Sequence, residues 1–186
     1  TEINAENCFK SEELLGVNNR IELSRVEAIE RRRILEHWML SGVTIQDPGS
    51  VYIDHDVVIG QDSIIFPNTA LRGTTQIGQD CQIGPNSVVD NSVIGDRNRI
   101  VCSNLESSTI ESGVDVGPFS HLRPGSYLES NVHIGNYVEV KNTWLGEGSV
   151  AGHFGYLGDA TIGSDVNIGA GTITCNFDGV DKHNTL

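Results

Sequence analysis

One aliphatic residue returns at every sixth position through most of this chain. Ile53, Ile59, Ile65, Leu71, Ile77 and Ile83 keep that step, and Ile110, Val116, Leu122, Leu128, Ile134 and Val140 keep it again. Ile162 and Ile168 close the series after short phase breaks near Asn91 and Trp144. The residue after the aliphatic is repeatedly Gly, and the fifth position is usually small or β-branched, as in Ile59-Gly60-Gln61-Asp62-Ser63 and Ile162-Gly163-Ser164-Asp165-Val166. An amphipathic helix needs apolar residues three to four apart and a half-buried strand needs them two apart, so a sustained step of six excludes a simple helix. It predicts a mainly β fold, a left-handed parallel β-helix of hexapeptide repeats. Three hexapeptides make each coil, the aliphatic points into a triangular prism, and the glycine after it eases the bend. The hand is taken from the repeat signature, because the usual crossover rule would give the opposite one.

The chain ahead of the repeat follows other patterns. Residues 1 to 20 fit neither a helix nor a hexapeptide and read as the tail of a preceding unit. Ser24-Arg25-Val26-Glu27 reads as a capping box that starts a helix running to about Leu40. Val26, Ile29, Ile34 and the Trp38-Met39-Leu40 cluster form its apolar stripe, Glu30 to Arg33 and Glu36 face water, and Gly42 is a stop signal. The expected organisation is a tail over 1–20, a linker helix over 21–41 and the β-helix over 42–186. A further hexapeptide is expected after Leu186, so the sequence reads as a truncated chain.

Charge and cysteine usage narrow the partners. Twelve Lys plus Arg against 25 Asp plus Glu give a formal net charge of -13, which argues against nucleic acid or an anionic membrane. No apolar run approaches a membrane span and the first residues lack a signal-peptide pattern, so a cytosolic, soluble protein is the expectation. Cys8, Cys81, Cys102 and Cys175 lie far apart without metal or redox spacing and are expected as free thiols, Cys81 packed in the core.

Chemistry is sought where the repeat is interrupted. Leu122-Arg123-Pro124-Gly125 puts a cation beside a corner, and Val138-Glu139-Val140-Lys141 puts another one coil later. Arg123 and Lys141 therefore stack on one face, either as two solvated charges or as a site for one anionic group. Ala151-Gly152-His153-Phe154-Gly155-Tyr156 then places a histidine and a tyrosine above that pair, and a base near neutral pH is what acylation of an amine requires.

Together with Gly16-Val17-Asn18-Asn19-Arg20 and Asn167-Ile168-Gly169-Ala170-Gly171-Thr172-Ile173-Thr174-Cys175-Asn176, these segments resemble one family closely. It is the bacterial bifunctional glucosamine-1-phosphate N-acetyltransferase and N-acetylglucosamine-1-phosphate uridyltransferase family. The resemblance implies acetyl transfer from acetyl-CoA to glucosamine 1-phosphate, followed in the whole protein by uridylation toward UDP-N-acetylglucosamine for cell-envelope polymers. It implies His153 as general base with Glu139 orienting it, and Arg123, Lys141, Tyr156, Asn167 and Lys182 on the sugar phosphate. Ala170, Asn176 and Phe177 match acetyl-CoA positions, Phe177 replacing a frequent Tyr and its hydroxyl. Asn18 matches a magnesium and nucleotide-sugar position of the uridyltransferase half, whose Gly-rich nucleotide loop is absent. A homotrimer is implied as well. Two other readings stand beside this one: a non-catalytic β-helix assembly module, and a zinc carbonic anhydrase using His121, His133 and His153, which lack that family's short His pair.

Overall fold

The computed structural model describes residues 15–186, so the tail expected over 1–20 is seen only from Leu15 and Cys8 lies outside the described residues. Among the described residues one helix, Arg20–Leu40, precedes 21 short strands. The strands form three parallel seven-stranded sheets, and the chain visits the three sheets in turn, which makes a triangular parallel β-helix. The first sheet begins at Thr44–Ile45, the second at Tyr52–Ile53 and the third at Val58–Ile59.

Register puts like on like. In the second sheet Ile53 faces Leu71, then Val89, Leu105, Leu122, Val140 and Leu157 follow in one inner column. From Leu71 to Leu157 each is essentially without solvent contact. Complete burial of one such side chain contributes roughly 1.5–3 kcal/mol, so the stacked columns are the core. The small fifth position has its own task. Ser63 Oγ donates to the Gly78 carbonyl at 2.9 Å and accepts from Cys81 N at 3.0 Å, so a buried hydroxyl ties one coil to the next where the backbone turns. Cys81 is buried and free, as expected, and Cys102 and Cys175 are also free thiols.

Two expectations need correction. The glycine after the aliphatic eases the bend by a positive φ at Gly84 and Gly117, at 103° and 112°, but not at Gly60, Gly78, Gly95, Gly135 or Gly146. At those positions it lets adjacent coils approach: a Cβ on Gly60 would lie 2.5 Å from the Gly78 carbonyl carbon. The phase breaks are also more numerous than the two near Asn91 and Trp144. The aliphatic step falls to five after Val89, Ile100, Leu105, Val140 and Leu157, as the pairings Val89 with Leu105 and Ile94 with Ile110 record. At a six-residue corner the left-handed residue typically stands third after the aliphatic, as with Asp62, Asp80 and Asp165. At each five-residue corner it stands second, and Asn91, Cys102, Ser107, Asn142 and Asp159 have φ between 42° and 49°.

The helix starts earlier than the capping-box reading placed it. Asn19 is the N-cap, its side chain accepting from Ile21 N and Glu22 N, while Glu22 accepts from Asn18 N at 2.6 Å. Asn19 and Ser24 offer equivalent caps, each with a carboxylate three residues on; Asn19 comes first in the chain, and Ser24 sits inside the helix that Asn19 starts. The buried anchor is Leu35, with Ile34 and Trp38 packed against the core, whereas Leu40 is 90% exposed. Arg31 and Arg33 are half-buried rather than fully in water, and the Arg31 guanidinium lies 4.6 Å from the centre of the Tyr52 ring. Among the described residues no helix is long and apolar enough to cross a membrane.

Candidate functional site

The outer face of the second sheet gathers the charged candidates. Leu122 pairs with Val140 and Arg123 N donates to the Val140 carbonyl, so Arg123 stands one coil below Lys141, as the spacing predicts. Neither cation is bare. Arg123 Nη1 donates to Glu139 Oε1 at 2.8 Å, and that hydrogen bond holds the guanidinium pKa above its ordinary value. Lys141 Nζ donates to both oxygens of Asp159, at 2.9 and 3.2 Å, and is likewise held protonated above the usual lysine range.

Asp159 is the centre of this network. It is 6% exposed and also accepts from Asn142 Nδ2 at 2.8 Å and from Asn176 Nδ2 at 2.5 Å. The Asn142 amide, then Lys141 and Asn176, hold its carboxyl down at about 2 against the opposing effect of burial. Asn176 Nδ2 also donates to Tyr156 Oη at 3.3 Å. Tyr156 pairs with Glu139 across the strands, and its ring folds over Gly158, where a Cβ would lie 2.5 Å from Cζ. The last segment folds back through a Phe177–Lys182 bridge, and Lys182 is among the groups acting on Lys141. Lys141, Asn142 and Asn176 thus meet on one carboxylate that sequence reasoning left without a role, with Tyr156 joined through Asn176, Lys182 beside Lys141, and Arg123 one coil below on its own carboxylate, Glu139. The register count that linked Arg123 to Lys141 would have found Asp159 if carried one coil further.

Other candidates sit around this cluster. His153 is exposed at the corner between the strands Val150–Ala151 and Gly155–Gly158, directly ahead of Tyr156. Glu139, expected to orient it, is instead committed to Arg123. Asn167 bridges to Val150 on the first sheet, and Ala170 follows on the same exposed coil, before Gly171 meets Phe154. Phe177 is 58% exposed. His121 lies half-buried on the second sheet with Nε2 3.0 Å from Glu106, and His133 lies on the first. No group of three or more His, Cys, Asp or Glu among the described residues is placed to hold a metal ion.

Asn18 lies at the N-terminus of the helix, which packs on the first strands, Thr44–Ile45 and Tyr52–Ile53, at the other end of the β-helix from Asp159. A single neutral amide oxygen falls short of the several oxygen ligands that magnesium takes.

No family model matches the chain. Solved structures resemble it distantly: LpxA from Acinetobacter baumannii aligns over 69% of this chain and 65% of that one at 17% identity, with a TM-score of 0.46. Sequence relatives are much nearer. The bifunctional protein GlmU of Pelobacter propionicus is 54% identical over 177 residues, covering 95% of this chain. That of Fervidobacterium nodosum is 55% identical over 173 residues, covering 93% of this chain. In each case the match takes in 38% of the relative, so the chain spans well under half the length of these curated proteins. Nearly the whole of this chain is similar to the bifunctional proteins GlmU, with about half of its positions identical.

Proposed function

We propose that this chain carries the acetyl-transfer centre of a cytoplasmic homotrimeric enzyme that moves acetyl from acetyl-CoA to the amine of glucosamine 1-phosphate. The observation that carries the reading is the in-register stack of Arg123 and Lys141 on one sheet face, with Tyr156 one coil above and His153 at the corner beside it. Residues 21–41 act as a linker helix and 42–186 as the acetyltransferase unit. The full-length protein also uridylates the product with UTP, through residues that are not part of this unit.

The chemistry follows from the residue types. Arg123, Lys141 and Lys182 take the phosphate, and Glu139, bound to Arg123, holds the guanidinium in place. Tyr156 and Asn167 meet the sugar. An ammonium cannot attack a thioester, so His153 removes a proton from it. The free amine nitrogen then bonds to the acetyl carbon, the carbon–sulfur bond breaks, and the extra proton on nitrogen passes to the departing sulfur, so that CoA leaves as its thiol. Ala170, Asn176 and Phe177 hold acetyl-CoA, and Asn176 is the buried member of that group.

Release of CoA thiol by the full-length protein, dependent on glucosamine 1-phosphate, tests the proposal. His153→Ala is expected to lower kcat by about 10² to 10⁴ with little change in KM for the sugar phosphate. Near-normal turnover would remove His153 from the role. A wild-type protein without turnover would return the chain to the assembly-module reading.

A further inference from the structure

We propose that Asp159 is a positioning residue that couples the sugar-phosphate and acetyl-CoA subsites through one buried carboxylate. This rests on the acetyl-transfer reading above and adds to it a residue with no assigned role.

An ionised carboxylate only accepts hydrogen bonds, so each group around Asp159 is fixed in direction. Lys141 spends donors on both Asp159 oxygens, at 2.9 and 3.2 Å, and its remaining N–H is the one available to a phosphate oxygen. Asn176 must turn its Nδ2 toward Asp159 at 2.5 Å, and the same nitrogen reaches Tyr156 Oη at 3.3 Å. The sense of that amide is therefore set, leaving Oδ1 for a ligand. One group thereby orients a cation of the phosphate subsite and an amide of the thioester subsite.

The backbone does not ask for a charge here. Asp159 occupies the left-handed position of a five-residue corner with φ 49°, a position held by Asn91 and Asn142 at other corners with φ 45°. Asn tolerates that conformation as well as Asp does. The main chain is held on both sides, Asp159 N donating to the Lys141 carbonyl at 2.9 Å and Thr185 N donating to the Asp159 carbonyl at 3.0 Å. What Asp adds over Asn is a second acceptor oxygen and a negative charge, and both are used by Lys141 and Asn176.

The test is steady-state kinetics of the full-length protein with the KM of each substrate measured separately, beside thermal melts. Asp159→Asn is expected to raise both KM values about tenfold or more, whereas Lys141→Ala raises chiefly that of glucosamine 1-phosphate and Asn176→Ala chiefly that of acetyl-CoA. In the Asp159→Asn/Lys141→Ala double variant the sugar-phosphate KM should be no worse than in Lys141→Ala, while the acetyl-CoA KM still rises. A merely structural role would lower the melting temperature and leave both KM values in place well below it. If Asp159→Asn does not fold, Asp159→Glu keeps the charge but displaces it, and should also raise both values. Wild-type turnover with only one KM moved, or neither, overturns the coupling alone. Absence of wild-type turnover overturns the acetyl-transfer reading with it.

Discussion

Lys141 Nζ lies 2.9 Å from Asp159 Oδ2, the lysine side chain 19% exposed and the aspartate 8%. The pair is legible as a stability device as well as a site. Asp159 is shifted from 3.8 to about 2. A folded pKa below the unfolded one means that the stabilisation is complete above about pH 4 and is lost as pH falls toward 2. Lys141 shifts upward, so its share is present below the unfolded lysine pKa and is lost as pH rises through the folded one. Denaturant melts should show the wild type losing about 2 kcal/mol more than Asp159→Asn between pH 5 and pH 2.

Gly135 and Gly158 should fail in different ways when changed to Ala. A Cβ on Gly135 would lie 2.6 Å from the Gly152 carbonyl carbon, so two coils must separate. A loss of about 2–3 kcal/mol is expected in a denaturant melt. On Gly158 the obstacle is the Tyr156 ring, which can swing away. That variant should keep most of its stability and lose affinity for glucosamine 1-phosphate, as calorimetry would show.

Leu122→Ala opens a cavity in the middle of an inner column, between Leu105 and Val140. Its side chain has no solvent exposure, so a loss of about 2–5 kcal/mol is expected. The denaturation midpoint should fall with an unchanged slope.

Asn91 is held at φ 45° and its Oδ1 accepts from Thr74 N at 3.1 Å and Thr74 Oγ1 at 3.2 Å. Asn91→Ala loses both bonds and keeps the left-handed strain, and should cost about 2 kcal/mol. Asn91→Gly relieves the strain and should cost less; equal melting temperatures for the two would contradict this account.

The prism could be read from the sequence because burial repeats at one interval, and the columns Ile53–Leu71 and Leu122–Val140 follow that interval directly. The corners at Cys102, Ser107 and Asp159 were missed because dropping one residue shifts the aliphatic by one place, which is hard to see between Ser-rich segments. Arg123 over Lys141 was readable, since a step of one coil is simple arithmetic. Their carboxylates were not, because Glu139 crosses diagonally and Asp159 looks like an ordinary turn residue. The helix start was misplaced by local chemistry: two plausible caps competed, and Asn19 won.

The coil over residues 167–176 meets the strands beneath it through single bridges, Val150 with Asn167 and Tyr156 with Ile173, and Ala160 bridges to Thr185, whereas the coils beneath are laddered on three sides. A stack whose layers touch only their neighbours opens from its weakest layer. Amide deuterium uptake should therefore rise along the column, fastest around residues 167–176 and slowest near Leu71 and Ile83. The segment assigned to acetyl-CoA is thereby held by fewer backbone ladders than the coils beneath it, and saturating CoA should slow uptake there before anywhere else.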